Sequence, residues 1–386
     1  VEPPAAEAPR GAVGGSLAGW GAVPLATEAE RRDGTAHLWG QLQVWTTAWD
    51  QDVSTQADPA TYGDPEADPG FSLRRARFGF DGFAPMGDRS GRSQFDYAFA
   101  VGVGAPYDVL STRSTAVELV DAFGRWALPT GVGVTSVALG LQRVPFSRDA
   151  MISSADQVFE EAAVATEWLA PSREAGGTVS QSIAFGDGPD AAQILVRAGA
   201  YNGGSDWFGD AGTGLLAAAR AELVLGDVYR TWSPTRDPAI GLGVAALRDD
   251  DLSTRTTAVE GDLLARYSIV TATVELISST VGPTDTTVAD PAVVVDTPRL
   301  GMSGQLSVWI PLPHDGIEVA ARYATFDDDT AFENSGDVGL LHLGATWRNV
   351  APRVDLGAGF VHRTEPAVSP NDTIRVWAQI RPQVNL

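Results

Sequence analysis

Residues 373–384 alternate in character. Ile374, Val376, Ala378 and Ile380 occupy every second position, with Arg375, Trp377, Gln379 and Arg381 between them. Successive side chains of a β-strand point to opposite faces, so this segment has one apolar and one polar face. Residues 353–363 repeat the pattern, with Val354, Leu356, Ala358 and Phe360 set against Arg353, Asp355 and Arg363. In "FSLRRARFGFDG", Arg75, Arg77, Gly79 and Asp81 share one face, and Ala76, Phe78 and Phe80 the other. The same rhythm, broken by turn signals, predicts strands at about 36–49, 71–83, 93–104, 115–127, 132–144, 174–186, 191–201 and 213–226. It continues at about 239–248, 257–266, 269–279, 299–310, 316–326, 337–348, 353–363 and 373–384, which makes sixteen strands.

The connections alternate as well. Those after strands one, five, seven, eleven, thirteen and fifteen are mostly long and polar, whereas "LPTG", "GDGPD", "YS" and "NVAP" are short. Short turns at one end and long loops at the other mark a membrane barrel, and its strands need only about 10 residues each. An arginine facing lipid at the midplane costs about 2–4 kcal/mol, so the recurrent arginines must face water. The predicted fold is therefore all-β: a transmembrane antiparallel β-barrel of about 16 strands, with short periplasmic turns and long outer loops. No run of about 18 apolar residues offers a membrane helix. Two connections fit poorly. "DVYRTWSPTRDP", after strand eight, is long for a turn, and "APYDVLSTR", after strand three, is short for an outer loop. Residues 1–34, rich in Ala, Gly and Pro, read as a periplasmic extension, and 35–386 as the barrel. The chain starts at Val1 without a basic-then-apolar leader, so the expectation is that any export signal has been removed.

Charge sharpens this picture. The chain carries 27 basic residues, all arginine, and 49 acidic ones, for a net charge of −22 and no cysteine. A pI near 4.4 argues against nucleic acid as a partner. There is no G-x-S-x-G elbow, P-loop or H-E-x-x-H, and His37, His314, His342 and His362 are scattered, so no enzyme is expected. By alternation Arg75, Arg77, Arg125, Arg143, Arg197, Arg220, Arg322, Arg348 and Arg375 face the lumen, with five further arginines. Nine inward acids oppose them, among them Asp81, Asp121, Glu222, Asp262, Glu275 and Asp355. Two readings stay open. The arginines form an anion pathway, or they pair with the acids as a structural lattice. Glycine and alanine on the polar faces predict an open lumen.

Residues 145–173 break the strand rhythm. They predict an inward-folding constriction loop with a helix over 153–169, capped by Ser153 with Asp156 three residues on. Arg148, Asp156, Glu160, Glu161 and Glu167 are its candidate constriction residues. Facing the lumen, its glutamates would oppose Arg75 and Arg77 and set up a transverse field. The runs at 249–251 and 327–329, with Asp64, Glu66 and Asp68, could bind Ca²⁺ or Mg²⁺ through oxygen ligands. They lack EF-hand spacing, and a solvated outer face is the competing reading. No other cofactor is indicated. Trp39, Trp45, Trp309 and Trp377 fall on the polar face, where they could stack on solutes or pack the interior.

"FSLRRARFGFDG", "ELVDAFGRWAL", "LGLQRVPFSRD", "SREAGG", "SIAFGDG" and "AGAYNG", in that order, resemble the phosphate-selective porin O and P family over residues 71–203. The resemblance implies a sixteen-stranded porin of a Gram-negative outer membrane, usually a trimer, with an arginine-lined anion pathway and an inward third loop. The chain departs from that family in having no lysine and in ending at Leu386 rather than an aromatic residue. The expected function is a passive channel for small hydrophilic solutes, preferring phosphate-like oxyanions, assembled as a homotrimer in outer-membrane lipid. The alternatives are a general-diffusion or sugar porin, or a surface-anchoring barrel whose acidic loops hold a surface layer or partner.

Overall fold

The structure, a computed structural model, describes residues 35–50, 70–86, 93–104, 116–185, 192–203, 214–229, 237–251, 254–284, 295–312, 316–333, 337–364 and 371–385. The 1–34 extension, Asp64, Glu66, Asp68, His314 and the connection after the third strand lie outside these residues. Sixteen strands form the wall: β1 (Thr35–Asp50), β2 (Gly70–Pro85), β3 (Gln94–Gly104), β4 (Ala116–Thr130), β5 (Gly133–Arg143), β6 (Arg173–Phe185), β7 (Ala192–Tyr201) and β8 (Leu216–Leu225). The second half adds β9 (Ala239–Asp250), β10 (Thr254–Tyr267), β11 (Val270–Pro283), β12 (Thr297–Pro311), β13 (Gly316–Asp327), β14 (Val338–Ala351), β15 (Val354–Thr364) and β16 (Asn371–Ile380). A three-residue β17 (Gln383–Asn385) carries the last strand onward. Each wall strand pairs antiparallel with its sequence neighbours, and β1 pairs with β16 and β17 to close the barrel.

The two faces of the wall are inverted relative to a water-soluble protein. Val244 on β9 is 60% exposed while Arg220, on the neighbouring strand and opposite face, is 2% exposed. Leu42, Phe78, Leu242, Leu356 and Val376 are exposed, whereas Asp81, Glu222, Arg348, Asp355 and Arg375 are buried. Burying charge and exposing hydrocarbon stabilises a chain only where the outside is itself hydrocarbon. Trp126 and Trp347 lie on the outer face, and Trp39, Trp45, Trp309 and Trp377 are buried inside.

Pairing register shifts at four places among the described strands, and two of these bulges re-aim side chains into the interior. Gln43 pairs with Arg75 and Val44 with Leu73, leaving Arg74 as an extra residue on β2. A bulge sets two residues against one and re-aims a side chain. Arg74 therefore turns inward beside Arg75, although parity alone sends it to the lipid face. On β4, Val120 is extra between Leu119 and Asp121, and it packs inside against Trp39 and Ala100. Gly79 makes that packing feasible, since a Cβ there would stand 2.8 Å from the Trp39 ring and 2.6 Å from the Phe99 carbonyl oxygen.

The interior is filled. The segment between β5 and β6 folds into the barrel and forms two short helices, α1 (Arg148–Met151) and α2 (Val164–Leu169), in place of the single helix expected over 153–169. Ser147, not Ser153, caps the first, accepting from the Ala150 amide at 3.1 Å. Residues 153–163 stay irregular because wall side chains take the carbonyls a helix would use internally. On one side of the lumen Phe146, Val164 and Leu169 meet Leu216, Ile277, Phe326 and Leu340 in an apolar core. Each such side chain contributes about 1.5–3 kcal/mol when fully buried.

The inward glycines do not leave the lumen open. They make room for this segment. A Cβ at Gly301 would lie 2.7 Å from Ala165 and 2.8 Å from Leu169, one at Gly344 3.0 Å from Phe159, and one at Gly241 2.9 Å from the Arg148 guanidinium. At the start of the long connection after β8, Val228 is fully buried and Tyr229 nearly so, and the Tyr229 hydroxyl meets inward-facing Arg197.

Candidate functional site

The candidate site is the lumen, divided by the inner segment 144–172. One carboxylate on β11 staples both halves of that segment. Glu275 accepts from Ser147 at 2.7 Å, from Thr166 at 2.9 Å and from the Asp149 amide at 3.1 Å. Arg148 pairs with Asp262 and, at 3.1 Å, with Glu222. Arg220 donates to Glu260 at 2.7 Å, to Glu222 at 3.0 Å and to Asp262. Arg197 donates to Glu222 at 2.9 Å and to the Tyr229 hydroxyl at 2.8 Å. These three arginines and their acids form one buried network, away from open space.

The tip of the segment is gripped by its backbone. Arg348 donates to the Gln157 carbonyl at 2.5 Å, Thr346 to that of Val158 at 3.0 Å, Arg75 to that of Glu160 at 3.0 Å and Arg322 to that of Glu161 at 2.8 Å. Arg143 does the same nearer α1, reaching the carbonyls of Ala150 and, at 3.2 Å, Ile152. Two side-chain contacts reinforce the tip. Arg74 and Arg75 both reach the Glu161 carboxylate at 2.5 Å, and Arg375 reaches Glu160 at 2.9 Å. Burial opposes ionisation of Glu161, but the Arg75 and Arg74 guanidinium groups overcome it and hold its carboxyl at about 2.

The expected transverse field is therefore corrected. Glu161 pairs with Arg75, one of the two arginines it was to oppose across a gap, while Glu160 pairs with Arg375 and Arg77 bonds to Ser154, because the segment docks directly on the wall. Asp156 is buried in a turn that its amide closes onto the Ser153 carbonyl at 2.8 Å. Glu167, on α2, opens to the lumen. Although its side chain reaches the lumen, desolvation by the protein crowded around it, then repulsion from Glu161, pushes its carboxyl up to about 7.

The nine arginines separate accordingly. Arg125 pairs across strands with Asp96 at 2.8 Å as part of the wall. Arg143, Arg197, Arg220, Arg322, Arg348 and Arg375 are each at most 6% exposed, so they hold the inner segment and do not line an open path. Arg75 is half-committed to the tip. Arg77 binds Ser154 at 3.1 Å and faces a cavity lined also by Arg173, Arg381, Gln41 and Asp121. Arg173 pairs with Asp121 at 2.8 Å, and Arg381 with Asp355 at 2.9 Å.

Alternation missed two members of this site. Arg74 needed the bulge, which only the pairing of β1 with β2 reveals. Arg173 sits at the junction of segment and strand, where parity has no reference. Two of the interior tryptophans are covered, since Arg74 and Arg375 lie over the Trp45 ring at 5.3 and 4.6 Å and Trp377 packs onto Gly359, whereas Trp39 lines the cavity beside Arg77. At the outer rim Asp327, Asp328 and Asp337 bring ligand oxygens within 4.8 Å of one another. In the other acidic run Asp250 is taken by Arg248 at 2.8 Å and Arg255 at 2.5 Å.

Comparison with solved structures places this geometry among outer-membrane barrels. The chain is similar to outer-membrane expressed OmpT of Vibrio cholerae, with 12% identity, TM-score 0.56, and coverage of 90% of this chain and 98% of that one. It is similar to Salmonella typhi OmpF in complex with daunomycin, with 12% identity, TM-score 0.55, and coverage of 91% and 97%. It is also similar to Pseudomonas putida OprB at high pH, with 9% identity, TM-score 0.50, and coverage of 91% and 94%. No protein-family model matches the chain, and neither does any curated protein sequence. The fold is thus that of a closed sixteen-stranded antiparallel outer-membrane-type β-barrel. With an apolar outer belt on that fold, the chain's place is the outer membrane of a Gram-negative cell.

Proposed function

We propose that the chain is a passive diffusion channel for small hydrophilic solutes, with a preference for small oxyanions such as phosphate. The supporting observation is the cavity beside β1, β2 and β4, which Arg77, Arg173 and Arg381 line together with one carboxylate, Asp121. Planar guanidinium forks suit the oxygens of phosphate-like anions, and rings of arginine favour anions in pores. The docked segment occupies much of the lumen, and we assign solute to this arginine-lined side of it. The resemblance over residues 71–203 to phosphate-selective porins points the same way.

The test is the reversal potential in a planar bilayer under a salt gradient. An anion-selective sign is expected, reduced in Arg77→Ala and Arg173→Ala. A cation-selective sign, or selectivity unchanged in both variants, overturns the anion reading and leaves the barrel intact. We further assign a homotrimer, for which cross-linking in detergent should give a three-copy band.

A further inference from the structure

A second cavity lies on the far side of the inner segment from Arg77, between α2, the tip and the wall strands β14 to β16. Its walls are mixed. Val164, Leu340 and Val361 supply an aliphatic surface, Trp168 an indole ring and His342 an imidazole. Three carboxylates border it, in unequal states. Glu160 is neutralised by Arg375 and Glu161 by Arg74 and Arg75. Glu167 is exposed to the lumen, and its carboxylate makes no hydrogen bond or ion pair among the described residues.

A single open carboxylate beside an indole and aliphatic side chains is the recognition chemistry of an ammonium group carried on a small apolar body. The carboxylate supplies the counter-charge, the aromatic ring adds cation–π attraction, and the aliphatic wall buries hydrocarbon. Anions are disfavoured here because three carboxylates, Glu160, Glu161 and Glu167, line the cavity against one arginine, Arg375. We propose that this cavity is a binding subsite for small organic ammonium ions, with Glu167 as the counter-ion and Trp168 as the aromatic wall. The raised carboxyl of Glu167 agrees with a site short of one positive charge. The subsite stands apart from the arginine-lined cavity, since the two share no lining residue.

The test uses the intact detergent-solubilised protein and 2-phenylethylammonium as probe, with binding read by titration calorimetry. Saturable binding at pH 8 is expected, weakened at least tenfold in Glu167→Gln and measurably in Trp168→Ala. The neutral analogue 2-phenylethanol should bind at least tenfold more weakly than the amine. Glu167→Gln removes no protein contact, so its fold should persist; heat-modifiable migration in gels checks this. Absence of binding, equal affinity in Glu167→Gln, or equal binding of the alcohol each overturns the proposal. Binding is read without any current, so its failure is distinguishable from failure of the channel reading. In a conducting bilayer, reversible block by the amine, lost in Glu167→Gln, is the corresponding signature.

Discussion

Glu161→Gln removes the carboxylate that Arg74 and Arg75 share. In the folded barrel that carboxyl is held at about 2, against 4.5 for a free side chain. At 1.36 kcal/mol per pH unit, this corresponds to about 3 kcal/mol favouring the ionised, docked tip. Removing one partner of a buried ion pair costs about 3–5 kcal/mol, since the remaining charges stay desolvated, so the two routes agree in scale. The carbonyl contacts from Arg348 and Thr346 survive, so the tip should loosen while the wall stays closed. Two guanidinium groups are released into the lumen at the same time. In single-channel recordings the variant should show greater open-channel noise, and its reversal potential should move toward anions. Acid should imitate the substitution. A depressed carboxyl stabilises above its free value and loses that contribution as pH falls, here between pH 4.5 and about 2. Wild-type channels should therefore become noisy near pH 3 and be quiet at pH 6. Unchanged noise and an unchanged reversal potential in Glu161→Gln would refute the idea that these arginines latch the segment.

Two further outcomes follow from packing. Gly301→Leu places a side chain where Ala165 and Leu169 lie within 3 Å of the missing Cβ, so it should displace α2 and raise single-channel conductance. Val376→Arg puts a guanidinium on the exposed apolar belt and should cost about 2–4 kcal/mol near the bilayer midplane, read as a lower urea midpoint of the folded barrel in lipid vesicles.

The wall was legible in the chain because its two faces meet different solvents, and a period of two reports that directly. Arg375, Trp377 and Gln379 inside, with Ile374 and Val376 outside, follow from it without further information. Arg74 did not, because a bulge is a property of two paired strands and leaves no mark in the alternation of one. The inner segment was visible only as an interruption. Its helical composition misled over 153–163, where Arg75, Arg322, Arg348 and Thr346 compete for backbone carbonyls from more than eighty residues away in sequence. Reading glycines such as Gly301 and Gly344 as empty space failed for a related reason. A missing side chain is also what a docking partner requires, and the partner was remote.

Wall side chains hold the tip by its peptide groups at 157, 158, 160 and 161. Every amino acid offers the same carbonyl, so those four fastenings are indifferent to which residue stands there. The side chains at 157 and 158 are themselves buried, Val158 against Phe159 and Ala320, so the peptide groups fix the course of the segment from beneath. Exposed positions along that fixed course, Glu167 among them, are where exchange of a side chain would give variants with new solute preferences.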